Sequence, residues 1–360
     1  MRTYRSCAIF AVAILLLSLG AAVAALHGKR PANPTLEMYD DLNRSFARLW
    51  KARLGVPIAL NQARSKSGVP IRATLDGLDV VTLALSLDVD ALKKNSRFSL
   101  PGEQKPSLQK NRPFTTAVVF LVRKGNPRKI EDWNDLVQPG VEIVTPDPKT
   151  SLDARWNYLA AWGYAARNAS TNADQAEAFE FMKSLFANVK TRDPSLEDSI
   201  KTFAERGTGD VLLVWENQAH HLAQDSGGRE FEVVTPSVSI MAESPVSVAL
   251  KRTDEQAGKE LAQAYIEYLH MVEAQDIAGR HFYRPRDSRV AAKYAAQLPP
   301  LELITIDDVF GGWKQAQLTH FAPAPFSTRS RAIHSWISCR APLARLPAGP
   351  TGNGHGYHGI

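Results

Sequence analysis

The chain has 360 residues, 44% hydrophobic and 22% charged, which is ordinary globular composition, long enough for two lobes with their own cores and without sign of a repeat architecture. The formal charge of +6 sits in the flanks, with Arg2 and Arg5 at the start and Arg329, Arg331, Arg340 and Arg345 at the end, so residues 25–321 are neutral and lack the footprint of a polyanion-binding protein. Cys7 and Cys339 fall in the same flanks, which excludes a disulfide framework or a thiolate metal site from the body.

Residues 1–24 carry the layout of a secretory signal peptide: Arg2 and Arg5, an apolar run from Ala8 to Leu19, and the small-residue site Ala22-Val23-Ala24. Export is the default expectation, and an uncleaved anchor is the alternative, since Ala8 to Leu26 is nearly long enough to cross a bilayer. A helix over 35–53 follows, with Leu36, Tyr39, Leu42, Phe46, Leu49 and Trp50 forming a core stripe. Next come a strand at 79–85, a helix at 88–94, a strand at 116–123, a helix at 131–137 and a strand at 141–145. Helices at 150–166, 173–187 and 198–206 precede a strand at 211–215, a helix at 216–224 and strands at 231–235 and 246–250. Helices at 254–272 and 274–281 close the pattern, whose alternation predicts an α/β protein with parallel sheets and helices on both faces. Residues 322–360, rich in Pro, Gly and Arg and without periodicity, read as a disordered tail in which His355 and His358 are too few to argue for metal.

The most telling stretch is 141–165. Val141, Ile143 and Val144 make a short strand, Pro146 and Pro148 end it, and Thr150 or Ser151 caps the helix that follows. First-turn N–H groups lack intrahelical partners and carry the positive end of the helix dipole, so a sulfate or phosphate can rest there without a cationic side chain. An ordinary capped helix without ligand satisfies the same pattern.

That segment, together with VVTLALSLDVDAL (80–92), VFLVRKGNPRKIEDWNDLVQPGVEIVTP (119–146), ERGTGDVLLVWENQA (205–219), VVTPSVSIMAE (233–243), FYRPRD (282–287) and FGGWKQAQ (310–317), closely resembles the periplasmic sulfate- and thiosulfate-binding proteins of ABC importers. The resemblance spans roughly residues 33–321. It implies a two-lobed, type II periplasmic binding protein fold, each lobe a mainly parallel sheet flanked by helices, with the ligand in the cleft between lobes. Lobe I would comprise 25–113 plus 245–321 and lobe II 114–244. The implied role is uptake of sulfate or thiosulfate by a monomer in the periplasm that needs no cofactor or metal and catalyses nothing. Its partners would be a membrane permease and the cytoplasmic ATPase behind it, with no nucleic acid. The alternatives are an interaction or sensor module on the same fold, or a binder of another oxyanion such as molybdate.

By the same resemblance, the anion is held by neutral donors, which places Ser67, Ser151 and Trp215 in the site. Each has a plainer reading, Ser67 and Ser151 as N-caps and Trp215 as a core indole at a strand end. The chain departs from the family pattern at several points. An aspartate gives way to Asn33 in Asn33-Pro34-Thr35-Leu36-Glu37, and the residues around Ser67 become Ser65-Lys66 and Val69-Pro70. A Gly-Gly pair after Ser151 becomes Leu152-Asp153, and a glycine- and arginine-containing turn becomes PSLEDS at 194–199. These changes bring Leu152 and Leu196, and the carboxylates Asp153, Glu197 and Asp198, near the expected pocket. A carboxylate about 5 Å from a dianion repels it by roughly 7 kcal/mol at an effective dielectric near 20 and by about 2 kcal/mol when solvent-screened. The expected consequence is weakened or altered oxyanion affinity, unless Asp153 faces solvent and pairs with Arg155.

Other motifs carry no chemistry. His220-His221 has no thiols or spaced histidine beside it for a metal site, and Asp88 and Asp90 suit helix capping. Gly207-Thr208-Gly209 precedes a strand, unlike a dinucleotide loop, and the charges of Tyr283-Arg284-Pro285-Arg286-Asp287 read as structural ion pairing.

Overall fold

The computed structural model describes residues 34–58, 60, 80–82, 98–99, 112–167, 174–243, 246–248, 250–251 and 256–322. The signal segment, Asn33, Ser67, Asp88, Asp90, the helix expected at 88–94 and the tail beyond 322 lie outside the described residues.

The first helix, α1 (Pro34–Leu54), buries Met38, Leu42 and Phe46, with Tyr39, Leu49 and Trp50 flanking them on the expected face. Those side chains meet α6 (Gln256–Leu269) and α7 (Val272–Arg280), where Tyr265, Tyr268, Leu269, Ile277 and Ala278 complete one core cluster. Phe46 sits at its centre, edge-on to Tyr265 with ring centroids 5.1 Å apart. Two short ladders stand apart from the large sheet: β1 (Val80–Thr82) pairs antiparallel with β9 (Val246–Val248), and β2 (Phe98–Ser99) with β10 (Leu250–Lys251).

A larger sheet is built around β3 (Phe114–Arg123), whose near-continuous apolar run is buried along its length. Its path runs β12 (Glu302–Ile304), β8 (Val238–Glu243), β3, β6 (Val211–Trp215), β4 (Ile143–Pro146), β5 (Val189–Asp193), with β7 (Phe231–Val234) and β11 (Arg284–Pro285) also pairing with β3. The β4–β5, β4–β6 and β8–β12 pairs are parallel, whereas β3 runs antiparallel to all its neighbours, so this sheet is mixed where alternation suggested parallel strands. The period-2 geometry of strands sorts the core. Val118, Phe120 and Val122 of β3 and Val211 and Leu213 of β6 enter a cluster with α2 (Leu152–Arg167) and α3 (Asp174–Ala187). Val119, Leu121, Leu212 and Val214 enter another, with α4 (Leu196–Ile200), its π-helical continuation to Glu205, and α5 (Glu216–Asp225).

After α8 (Ser288–Lys293), the segment 302–321 joins the large sheet and its core. Ile304 of β12, Ile306 and Phe310 of α9 (Ile306–Phe310), and Trp313 and Ala316 of α10 (Trp313–Ala316) pack into the α2–α3 cluster, among residues of 114–244. The reason is β12 itself, which adds to the edge of the large sheet by pairing with β8 and carries the following turns over α2.

The Gly207–Gly209 turn leads into β6 and is clamped by Arg123, which donates to the carbonyls of Phe203, Thr208 and Gly209 at 3.0–3.1 Å. Gly209 has φ +80°, and a Cβ there would lie 2.6 Å from Val144 Cγ2, so glycine is required for packing of the turn.

Candidate functional site

Two chain segments build the site. β4 ends at Pro146, and the turn after it folds back on Asp147, whose carbonyl accepts from Thr150 N and Ser151 N. Ser151, 4% exposed, stands before α2 and its Oγ accepts from Ala154 N at 3.4 Å, the N-cap geometry expected. Thr150 Oγ1 donates to Pro194 O at 3.0 Å, tying this turn to the one ahead of α4. β6 supplies the other side: its apolar run ends in Trp215, which touches both clusters of the large sheet and remains partly exposed. Trp156 of α2 holds the indole edge-on, at 5.9 Å between centroids, and Trp313 backs Trp156 at 4.7 Å.

The indole is not a plain core group. Trp215 Nε1 donates to Asp153 Oδ1 at 2.7 Å, and Ser151 Oγ stands 3.5 Å from Asp153 Oδ2, at the edge of hydrogen-bonding range. Burial pushes the Asp153 carboxyl above its usual range, opposed by the Trp215 N–H, its own backbone N–H and the Ser151 hydroxyl. The structure therefore joins three sequence-proposed residues, Ser151, Asp153 and Trp215. Asp153 turns inward instead of facing solvent, and Arg155 does not pair with it: Nε donates to Pro148 O and Nη1 to Gln317 Oε1.

Other expected pocket residues are placed elsewhere. Leu196 is 5% exposed and belongs to the core cluster under α4, while Leu152 packs partly buried on the α2 cluster. Asp198 is tied up at the N-cap of α4 with Ser195, which donates to it at 2.6 Å, and Glu197 pairs with Lys201 at 3.0 Å on the surface. The local capping chemistry of PSLEDS thus engages two of the three carboxylates with partners of their own, because acids in a first turn satisfy backbone and dipole.

Sequence reasoning missed the polar joint behind Trp215. Glu216, fully buried, accepts from Arg284 Nε at 2.6 Å and Nη2 at 2.7 Å, a bidentate pair linking α5 to β11. Burial raises the Glu216 pKa and the guanidinium opposes it. Asn217 Nδ2 donates to the Tyr283 hydroxyl at 3.3 Å, which in turn hydrogen-bonds Thr35 of α1 at 2.8 Å. The structural reading of Arg284 and Asp287 is borne out, the latter capping α8 and pairing with Arg289. His220 and His221 pack on Phe282, and among the described residues no group of three metal-ligating side chains comes together. A cavity of about 570 Å³ is lined by residues including His220, Gln224, Phe282 and Gln297, and shares none of the candidate-site residues.

Chemically, an indole N–H, a serine hydroxyl and the first turn of a 16-residue helix converge on an oxyanion that happens to be a side chain of the same protein. Comparison with known proteins identifies the family. The sequence profile of the family described as bacterial extracellular solute-binding protein matches residues 38–284. The sulfate-binding protein of Escherichia coli K12 is 48% identical over 293 residues, covering 81% of this chain and 88% of its own. The thiosulfate-binding protein of Pseudomonas aeruginosa is 38% identical over 315 residues, covering 85% and 94%. Among solved structures, the sulfate-binding protein SubI from Mycobacterium tuberculosis H37Rv superposes with a TM-score of 0.57 at 32% identity, covering 68% of this chain and 81% of that one. The fold is that of the two-lobed, type II periplasmic binding proteins, and the chain belongs to the sulfate/thiosulfate-binding family of bacterial extracellular solute-binding proteins.

Proposed function

We propose that this chain is the exported solute-binding component of an ABC importer and that it captures sulfate, thiosulfate or a related tetrahedral oxyanion. The observation that carries the reading is the bond from Trp215 Nε1 to Asp153, backed by Ser151 and the start of α2: these groups already hold an oxyanion. Charge-assisted hydrogen bonds of this type contribute about 1.5–3 kcal/mol each, enough for a few neutral donors to bind a dianion tightly. Asn33 and Ser67 add to the donor set in this proposal. The identities to sulfate- and thiosulfate-binding proteins support the ligand class.

The anion bridges the two lobes and favours their closed arrangement, which the membrane permease recognises. The protein works as a monomer in the periplasm, without cofactor. Titrating sulfate, thiosulfate and molybdate into the purified exported chain by isothermal calorimetry, at pH 5 and pH 8, tests this reading. A saturable one-site isotherm with sulfate or thiosulfate supports it, and absence of binding at both pH values contradicts it.

A further inference from the structure

The pairing of Trp215 with Asp153 also bears on which anions the site accepts, an inference that rests on the function just proposed. We propose that anion capture by this chain is coupled to one proton held between Asp153 and the ligand, so that the site favours oxyanions carrying a proton over fully ionised ones.

An anion that takes Trp215 Nε1 and Ser151 Oγ must displace the Asp153 carboxylate from both. Asp153 is the second residue of α2, so its side chain stays beside the same donors after displacement. Carboxylate and sulfate then face each other with lone pairs only, since neither has a hydrogen to donate. One proton resolves the conflict in either of two ways. With sulfate it comes from solvent and sits on Asp153, which then donates to the anion. With a hydrogenphosphate-type ligand it arrives on the ligand, whose O–H donates to the carboxylate.

No neighbouring charge does this work instead. On α2, Arg155 is committed to Pro148 O and Gln317. On the turn after β4, Asp147 accepts from Lys149 N. Around α4, Asp193 accepts from Ser199 and Thr202, Asp198 from Ser195, and Glu197 pairs with Lys201. Behind Trp215, Glu216 is held by Arg284, and His320, packed on Trp162 of α2, is paired with Tyr158. The influences on the Asp153 carboxyl are burial, the Trp215 N–H, its own backbone N–H and Ser151, with no cation or second carboxylate among them. Burial there favours the protonated form, which is the form needed when sulfate binds.

The test compares wild type with Asp153→Asn by calorimetric titration of sulfate and of inorganic phosphate between pH 5 and 8.5. Asparagine keeps an acceptor for Trp215 and offers the ligand an N–H. For wild type, sulfate affinity is expected to fall about tenfold per pH unit above the Asp153 pKa, the slope of one linked proton. Asp153→Asn is expected to bind sulfate with no such slope. At pH 8 wild type is expected to prefer phosphate to sulfate and the variant to lose that preference. A wild-type sulfate affinity as flat with pH as the variant's overturns the proposal and leaves the proposed function standing. Sulfate binding by neither protein at any pH overturns the proposal, and overturns the proposed function too when thiosulfate and molybdate also fail to bind. Asp153→Gly, checked for folding by circular dichroism, serves if asparagine perturbs the helix start.

Discussion

The indole N–H of Trp215 and the carboxylate of Asp153 meet at 2.7 Å, across a gap between the end of β6 and the first turn of α2. Under the proposed function, that contact accounts for two features together: an aspartate at the start of α2, standing where the anion would sit, and a tryptophan at a strand end that is left partly exposed.

Trp215→Phe removes this donor and keeps the ring packed against Trp156. Sulfate affinity is expected to drop roughly 10- to 150-fold, the loss of one charge-assisted bond. Calorimetry measures the affinity directly. Tryptophan emission should respond to sulfate in wild type and much less in the variant, because the displaced carboxylate lies on this indole.

Arg284→Met strands Glu216, which is fully buried. The expected cost is about 3–5 kcal/mol, since a buried carboxylate loses the countercharge it has among the described residues. Urea unfolding measures it. The double variant Glu216→Gln with Arg284→Met should be less destabilised than the sum of the single changes; additivity would show that the two groups are not coupled.

Stability should fall on acidification through the histidines. His320 is 5% exposed within a ring of Tyr158, Trp162 and Phe310, and burial lowers its pKa from 6.5 to about 4. The folded chain thus binds fewer protons than the unfolded one between those values. Its contribution is complete above pH 6.5 and is lost as pH falls toward 4, in total about 3 kcal/mol. His320→Phe should flatten this acid limb in thermal melts at pH 7, 6 and 5. A residual slope is expected from His220, whose pKa burial also lowers to about 4.

Gly279→Ala tests packing beyond the site. A Cβ at Gly279 would lie 2.3–2.9 Å from the Tyr294 ring, and that ring is held by its hydroxyl on Asp276 O. Overpacking of this kind costs about 1–3 kcal/mol. An unchanged denaturant midpoint would show that the ring moves freely.

Sequence made some of this legible and hid the rest for physical reasons. β6 is found at its expected bounds because VLLVW is a short, wholly apolar run between a turn and a helix. α1 and α2 follow from a helical stripe and from Ser151 as cap. β5 escaped because VKTRD is polar at four of its five positions, an edge strand with one strongly buried residue, and β12 because three residues give no period. The replacement of Gly-Gly by Leu152-Asp153 was visible. Its outcome was not, because the direction of the Asp153 side chain depends on Trp215, sixty-two positions away in the chain. Glu216 likewise looks like any acidic residue opening a helix until β11 brings Arg284 against it.

Co-crystallisation with selenate at pH 5, with selenium located by anomalous scattering, tests the central claim most directly. The account predicts one selenium whose oxygens lie about 3 Å from Trp215 Nε1 and Ser151 Oγ, with Asp153 displaced from the indole. Selenium bound elsewhere, or a Trp215–Asp153 bond that persists in saturating selenate, would contradict it.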